Sequence, residues 1–223
     1  MLQRIPEPEV MDSLAEAIAY DAMDFTEVNS AFAQDAIAIA QLQARGFILD
    51  AGTGTARIPI AIAQQLPQWQ IIGIDLAQSM LDIGTRNIEQ AGLRSQIQLE
   101  CVDAKQMPYP DGHFDMVISN SIVHHLSDPI PFFRELQRVL KPNGSIFLRD
   151  LTRPANLETL HALVDSIGIE YDAEQKKLFR DSLYAAYTVA EIQAIATSAG
   201  IGDARIYQSS DLHWTMERPY LAA

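Results

Sequence analysis

The chain has 223 residues, long for one domain and short for two, and its 48% apolar content is enough for a large core. A formal net charge of −13 repels phosphate backbones. The longest basic cluster, Lys176-Lys177 with Arg180, is flanked by Asp172, Glu174 and Asp181 and reads as a solvated helix face.

Residues 1–10 carry two prolines and read as extended. They lack the apolar stretch of a secretion signal, no run of roughly 18 apolar residues spans a membrane, and the single Cys101 cannot close an internal disulfide. The expectation is a cytoplasmic protein with a small-molecule partner, no nucleic acid and no membrane span; the sequence leaves the oligomeric state open.

Residues 12–43 have near-helical spacing and suggest two helices broken around Asn29-Ser30. Alternation then begins. Phe47-Ile48-Leu49-Asp50 is a short apolar run before the turn Gly52-Thr53-Gly54, and a helix follows from Ala56 to Leu66, stopped by Pro67. Strands are expected at 70–75, 97–102, 114–119 and 145–150. Helices are expected at about 78–90 and 129–140, with Lys141-Pro142-Asn143-Gly144 as a turn before the fifth strand. Short apolar strands alternating with helices imply a mostly parallel, doubly wound α/β sheet, a Rossmann-like fold. Beyond Pro154 come helices at about 155–167, 173–186 and 188–199, then a terminal antiparallel hairpin, 204–208 with 212–217. One domain is expected: an N-terminal helical lid over 1–44, a cofactor-binding core over 45–152, a helical substrate-side insert over 153–200, and the hairpin over 201–223.

The strand ends carry the chemistry. At Asp50-Ala51-Gly52-Thr53-Gly54 the glycines permit a tight turn and close approach of a ligand. Arg57 stands where a dinucleotide motif has its third glycine. The acid before the glycines opposes a phosphate and suits an ammonium or sulfonium cation. Asp75, at the tip of the second strand, suits both hydroxyls of a ribose or, alternatively, the N-cap of the next helix. Asp103-Ala104, after the third, suits an adenine edge or a turn that binds its own backbone. Ligands of such sheets lie outside the carboxyl ends of the strands, so the three acids face one crevice.

These segments, with Gly73-Ile74-Asp75-Leu76-Ala77-Gln78-Ser79-Met80, Phe114 to Asn120, and Leu136 to Gly144, resemble the class I S-adenosylmethionine-dependent methyltransferases over about residues 45–152. Within them the chain is most similar to the small-molecule branch that includes quinone-biosynthesis enzymes. The resemblance implies a seven-stranded sheet ending in an antiparallel hairpin. It also implies S-adenosylmethionine as cofactor, S-adenosylhomocysteine as product, and a small-molecule methyl acceptor. By position, Asp50, Gly52 and Gly54 approach the methionine part, Asp75 holds the ribose, Leu76 and Met80 lie against the adenine, and Asp103 and Ala104 read its edge. Asn120 and Ser121 line the methyl-transfer site, and Tyr20 lids the cofactor or is a core tyrosine.

Methyl transfer from a sulfonium is an in-line displacement in which the protein supplies alignment and a dry pocket. His124, in the pair His124-His125, is the candidate base or substrate donor, with a packed or capping histidine as the alternative; on a helix only one of the pair faces the cleft. No His, Cys or Asp spacing resembles a metal site. Tyr171, Phe179, Tyr184 and Tyr187 roof the substrate pocket or form the insert's own core. The rival readings are an NAD(P)-dependent oxidoreductase and a cofactor-binding protein without catalysis.

Overall fold

The structure is a computed structural model that describes residues 2–10, 12–23, 25–40, 44–166 and 173–221. Its seven strands are β1 (Phe47–Ala51), β2 (Gln70–Asp75), β3 (Ile97–Cys101), β4 (Phe114–Asn120), β5 (Leu140–Leu151), β6 (Arg205–Gln208) and β7 (His213–Arg218). They form one sheet in the order β3-β2-β1-β4-β5-β7-β6. The pairs among β1 to β5 are parallel. β7 inserts antiparallel between β5 and β6, which is the expected terminal hairpin. The strand order reverses direction beside β1, and such a switch point opens a crevice at the carboxyl ends.

The helices are α1 (Leu14–Asp21), α2 (Thr26–Ile39), α3 (Arg57–Ala63), α4 (Gln78–Gln90), α5 (Ile130–Val139), α6 (Leu157–Ser166), α7 (Ala173–Ala185) and α8 (Val189–Ser198). One core face packs Leu49, Val117 and Leu148 against Phe132, Phe133 and Leu136 of α5 and Ile192 of α8. The other packs Ile48, Met116 and Phe147 against Phe32 and Ala36 of α2 and Ile62 of α3. Successive strand residues thus feed opposite faces, and both faces are covered, which is why the strands read as continuous apolar runs.

Two boundaries differ from expectation. The N-terminal helices break after Asp21, and Asn29-Ser30 lies inside α2. Asn and Ser each cost a helix only about half a kcal/mol against Ala, and burial of Phe32, Ala33 and Ala36 outweighs that. The turn expected at 141–144 is a bulge inside one 12-residue strand, because Leu140 pairs with Phe114 and Ser145 with Met116. Lys141 Nζ draws the bulge onto β4 by reaching Asp115 Oδ1 at 2.6 Å.

The insert packs Leu160, Leu183 and Ala186 against Leu151 at the end of β5 in a small separate core, with Phe179 and Tyr184 packed against it. Those two aromatics serve that core, and Tyr171 lies outside the described residues. No helix among the described residues is long and apolar enough to cross a membrane.

Candidate functional site

β1 carries Asp50 to its carboxyl end with 2% of its surface exposed. Burial pushes its carboxyl up to about 7; the neighbouring Thr53 hydroxyl pulls it down, and the Asp75 charge pushes it further up. Thr53 Oγ1 is itself buried and makes no hydrogen bond of acceptable geometry. Gly52 turns the chain at φ 76°, where a Cβ would sit 2.9 Å from Ile122 Cβ, so no other residue fits without strain. A Cβ at Gly54 would meet nothing within 4 Å, so the turn has open space on that side.

The turn's N–H groups are already committed. Gly52 and Thr53 donate to Ile74 O, at 2.9 and 3.0 Å, and Gly54 donates to Asp75 Oδ2 at 2.9 Å. A pyrophosphate would need those same donors. The loop therefore suits a ligand that presents positive charge to Asp50.

Asp75 Oδ1 accepts from Ala77 N at 2.9 Å. Burial raises its pKa, with the Ala77, Gly54 and Leu76 N–H groups pulling the other way. Each carboxylate oxygen has more than one acceptor position, so both can still take a ribose hydroxyl. The N-cap alternative fails on geometry: α4 begins at Gln78, and its Ser79 N–H donates to Asp12 Oδ1 at 3.0 Å. Leu76 is 39% exposed beside Asp75, and Met80 is half-buried in the first turn of α4.

Asp103 binds its own backbone through Lys105 N, at 2.8 Å, with Lys105 Nζ 3.6 Å away, and Ala104 is buried beside it. Asn120 ends β4, and Ser121 follows at φ 62°, a left-handed conformation that costs a non-glycine about 1–2 kcal/mol. Tyr20 is 43% exposed, its ring tilted against that of Phe25 with centroids 5.5 Å apart. Its pKa is raised by desolvation first, then by the charges of Asp75, Asp21 and Asp50, which places it in the field of the same acids. Asp21 beside it clamps α1 down, accepting from Arg57 Nε at 3.0 Å and Asn87 Nδ2 at 3.1 Å.

The other half of the crevice is assembled from distant segments. Val123–His125 form a single 3-10 turn after β4. Asp150, near the end of β5 and 1% exposed, accepts from Val123 N at 2.5 Å and holds His124 Nδ1 at 2.5 Å. His124 Nε2 faces Glu7 Oε1 at 3.4 Å, and His125 Nδ1 lies 3.2 Å from the same oxygen. The tight turn brings the two rings 4.2 Å apart and both to Glu7, with His124 the more deeply buried of the pair. Burial and then the His124 charge lower the His125 pKa to about 4. Burial raises that of Glu7, against the His124 charge.

Glu7 is delivered by a strap over residues 2–10. Arg4 donates to Ala185 O, His124 O and Leu126 O at 2.6, 3.0 and 2.9 Å, and its guanidinium lies 4.0 Å from the centre of the Tyr187 ring. Tyr187, expected in the roof or the insert's core, instead donates its hydroxyl to Leu126 O at 2.8 Å. Farther on, Glu9 accepts from Lys105 Nζ at 2.7 Å and from Ser127 Oγ at 2.8 Å. The strap therefore runs from the end of α7, past the turn after β4, to the loop after β3. The sequence reading left out Glu7, Glu9, Asp12 and Asp150; the last had the same signal as Asp50, an acid closing an apolar strand.

Residues 49–148 match a family described as "Methyltransferase domain". Among curated proteins, the chain is similar to the demethylmenaquinone methyltransferase of Lactobacillus johnsonii, 35% identical over 117 residues, 52% of this chain and 48% of that one. It is also similar to the ubiquinone/menaquinone biosynthesis C-methyltransferase UbiE of Geobacter, 31% identical over 114 residues, 51% of this chain and 48% of the relative. The matched region spans about half the length of these curated relatives. Among solved structures, an S-adenosylmethionine-dependent methyltransferase fold from Methanococcus maripaludis overlays with a TM-score of 0.76 at 22% identity, covering 98% of this chain and 99% of that one.

Proposed function

We propose that this chain is a class I S-adenosylmethionine-dependent methyltransferase that methylates a small molecule, a reading supported by the methyltransferase-domain match over residues 49–148 and by the similarity to quinone-biosynthesis methyltransferases. The observation that carries the reading is Asp50, an almost fully buried acid beside a glycine turn whose N–H groups are spent internally. A carboxylate so placed, with open space at Gly54, suits a cationic ligand and opposes a dinucleotide pyrophosphate.

The residues present fit S-adenosylmethionine. Asp50 attracts the positive end, and Asp75 retains acceptor positions for the ribose. Leu76 and Met80 offer apolar contact to the adenine, and Asp103 with Ala104 borders its edge. Asn120 and Ser121 face the methyl-transfer point, with Tyr20 as the lid. The bound cofactor supplies a methyl group already activated on sulfonium, so alignment and water exclusion are the protein's main task. On the acceptor side, His124 is fixed by Asp150 and the Arg4–Glu9 strap closes the approach.

The charge of −13 argues against a nucleic-acid acceptor, and the quinone-biosynthesis relatives support a small-molecule one. A cytoplasmic setting completes the reading, supported by a single cysteine that is free. The test is to incubate methyl-labelled cofactor with the protein and, separately, a metabolite fraction, a protein fraction and RNA. Label in the metabolite fraction is expected. Label confined to protein or RNA would overturn the substrate class, and cofactor binding without turnover on any fraction would favour a binding protein.

A further inference from the structure

Glu7, His124 and His125 place one ligand atom each within 4.8 Å of one another, from a strap and a turn far apart in sequence. Two of these atoms, Glu7 Oε1 and His125 Nδ1, are buried with no hydrogen-bond partner. Buried polar atoms are nearly always satisfied, yet these two face each other at 3.2 Å without a well-aligned hydrogen bond. A cation satisfies both together with His124 Nε2, since all three atoms are lone-pair donors once the histidines are neutral.

The spacings favour a metal ion. Bonds of about 2.0–2.1 Å in a tetrahedral arrangement put neighbouring donor atoms about 3.3 Å apart. Glu7 Oε1 lies 3.4 Å from His124 Nε2 and 3.2 Å from His125 Nδ1. The outer partner is also in place: Asp150 Oδ1 holds the other ring nitrogen of His124 at 2.5 Å, as carboxylates do behind metal-bound histidines.

We propose that Glu7, His124 and His125 bind one divalent transition-metal ion of the zinc class. Two imidazoles and one carboxylate suit zinc, cobalt, nickel or iron(II), and are a poor set for magnesium or calcium. Three protein ligands leave a fourth position open on the His125 side, where that side chain is 22% exposed. The ion also pins the strap to the turn after β4, adding to the hold of Arg4 on His124 O and Leu126 O. The inference does not depend on the methyl-transfer reading.

The test uses the full chain without a polyhistidine tag, titrated with cobalt(II) and followed by visible absorption, then competed with zinc and with magnesium. One ion per chain is expected, displaced by zinc and not by magnesium. Glu7→Gln and His125→Gln should each weaken binding more than tenfold, and His161→Ala, an exposed histidine on α6, should leave it unchanged. Asp150→Asn should cost roughly 10–100-fold. Amide exchange needs no variant: zinc should slow exchange across residues 3–9. No stoichiometric ion on the intact chain, affinity unchanged in both Gln variants, or unaltered strap exchange would overturn the proposal.

Discussion

On the β1–β3 side of the crevice, each acid sits at the end of its own strand, a few residues from the turn or helix it serves: Asp75 bonds Ala77, two residues on, and Asp103 bonds Lys105. On the β4–β5 side, Arg4 reaches across 120 residues to His124 O, and Asp150 reaches back 27 residues to Val123 N. The first half is local geometry that any strand–turn–helix unit can build; the second exists only when the fold has closed. Substitutions should therefore separate the two halves: the cofactor side fails in binding, the acceptor side in stability.

Asp150→Ala should have the largest effect. It removes the buried partner of His124 Nδ1 and of the Val123 and Leu151 N–H groups, and should cost about 3–5 kcal/mol in denaturant unfolding. A loss under about 1 kcal/mol would mean the acceptor side does not depend on that buried anchor.

Gly52→Ala probes the seam between the halves, because its Cβ would strike Ile122 from the β4 side. Strain at φ 76° and the clash together should cost about 2–4 kcal/mol in thermal unfolding, partly recovered by adding Ile122→Ala.

Asp75→Ala should weaken cofactor binding by about 1.5–3 kcal/mol by calorimetry while moving stability little. Unchanged affinity would remove the ribose assignment.

The last contrast is with pH. The Asp50 carboxyl, raised to about 7, stays protonated in the folded chain where the unfolded chain has ionised, so its contribution to stability falls as pH rises from about 4 to about 7 and is flat above. A cationic ligand favours the ionised form, so cofactor affinity should climb with pH up to about 7 and then level. Affinity falling over that range would mean Asp50 does not face positive charge.

The same contrast explains what the sequence made legible. Strand positions, the terminal hairpin and the acids at Asp50, Asp75 and Asp103 follow from apolar runs closed by acids and glycines, all within a few residues. Glu7 carries no such mark: it lies in a proline-bearing stretch that makes no helix or strand and gains meaning only through Arg4, Glu9 and Asp12, which fasten that stretch to α7, the loop after β3 and α4. Asp150 was marked by its strand, but its target, the 3-10 turn at Val123–His125, is set by tertiary contact. Lys141 to Gly144 have turn composition and turn locally, yet pairing with β4 absorbs them into a bulge.

The most direct test of the central claim is calorimetric titration of the chain with S-adenosylmethionine and S-adenosylhomocysteine, beside NAD(H) and NADP(H). Micromolar binding of the first pair and none of the second is the predicted result. Binding of the nicotinamide pair instead would contradict the reading of Asp50, of the committed turn N–H groups and of Asp75 together.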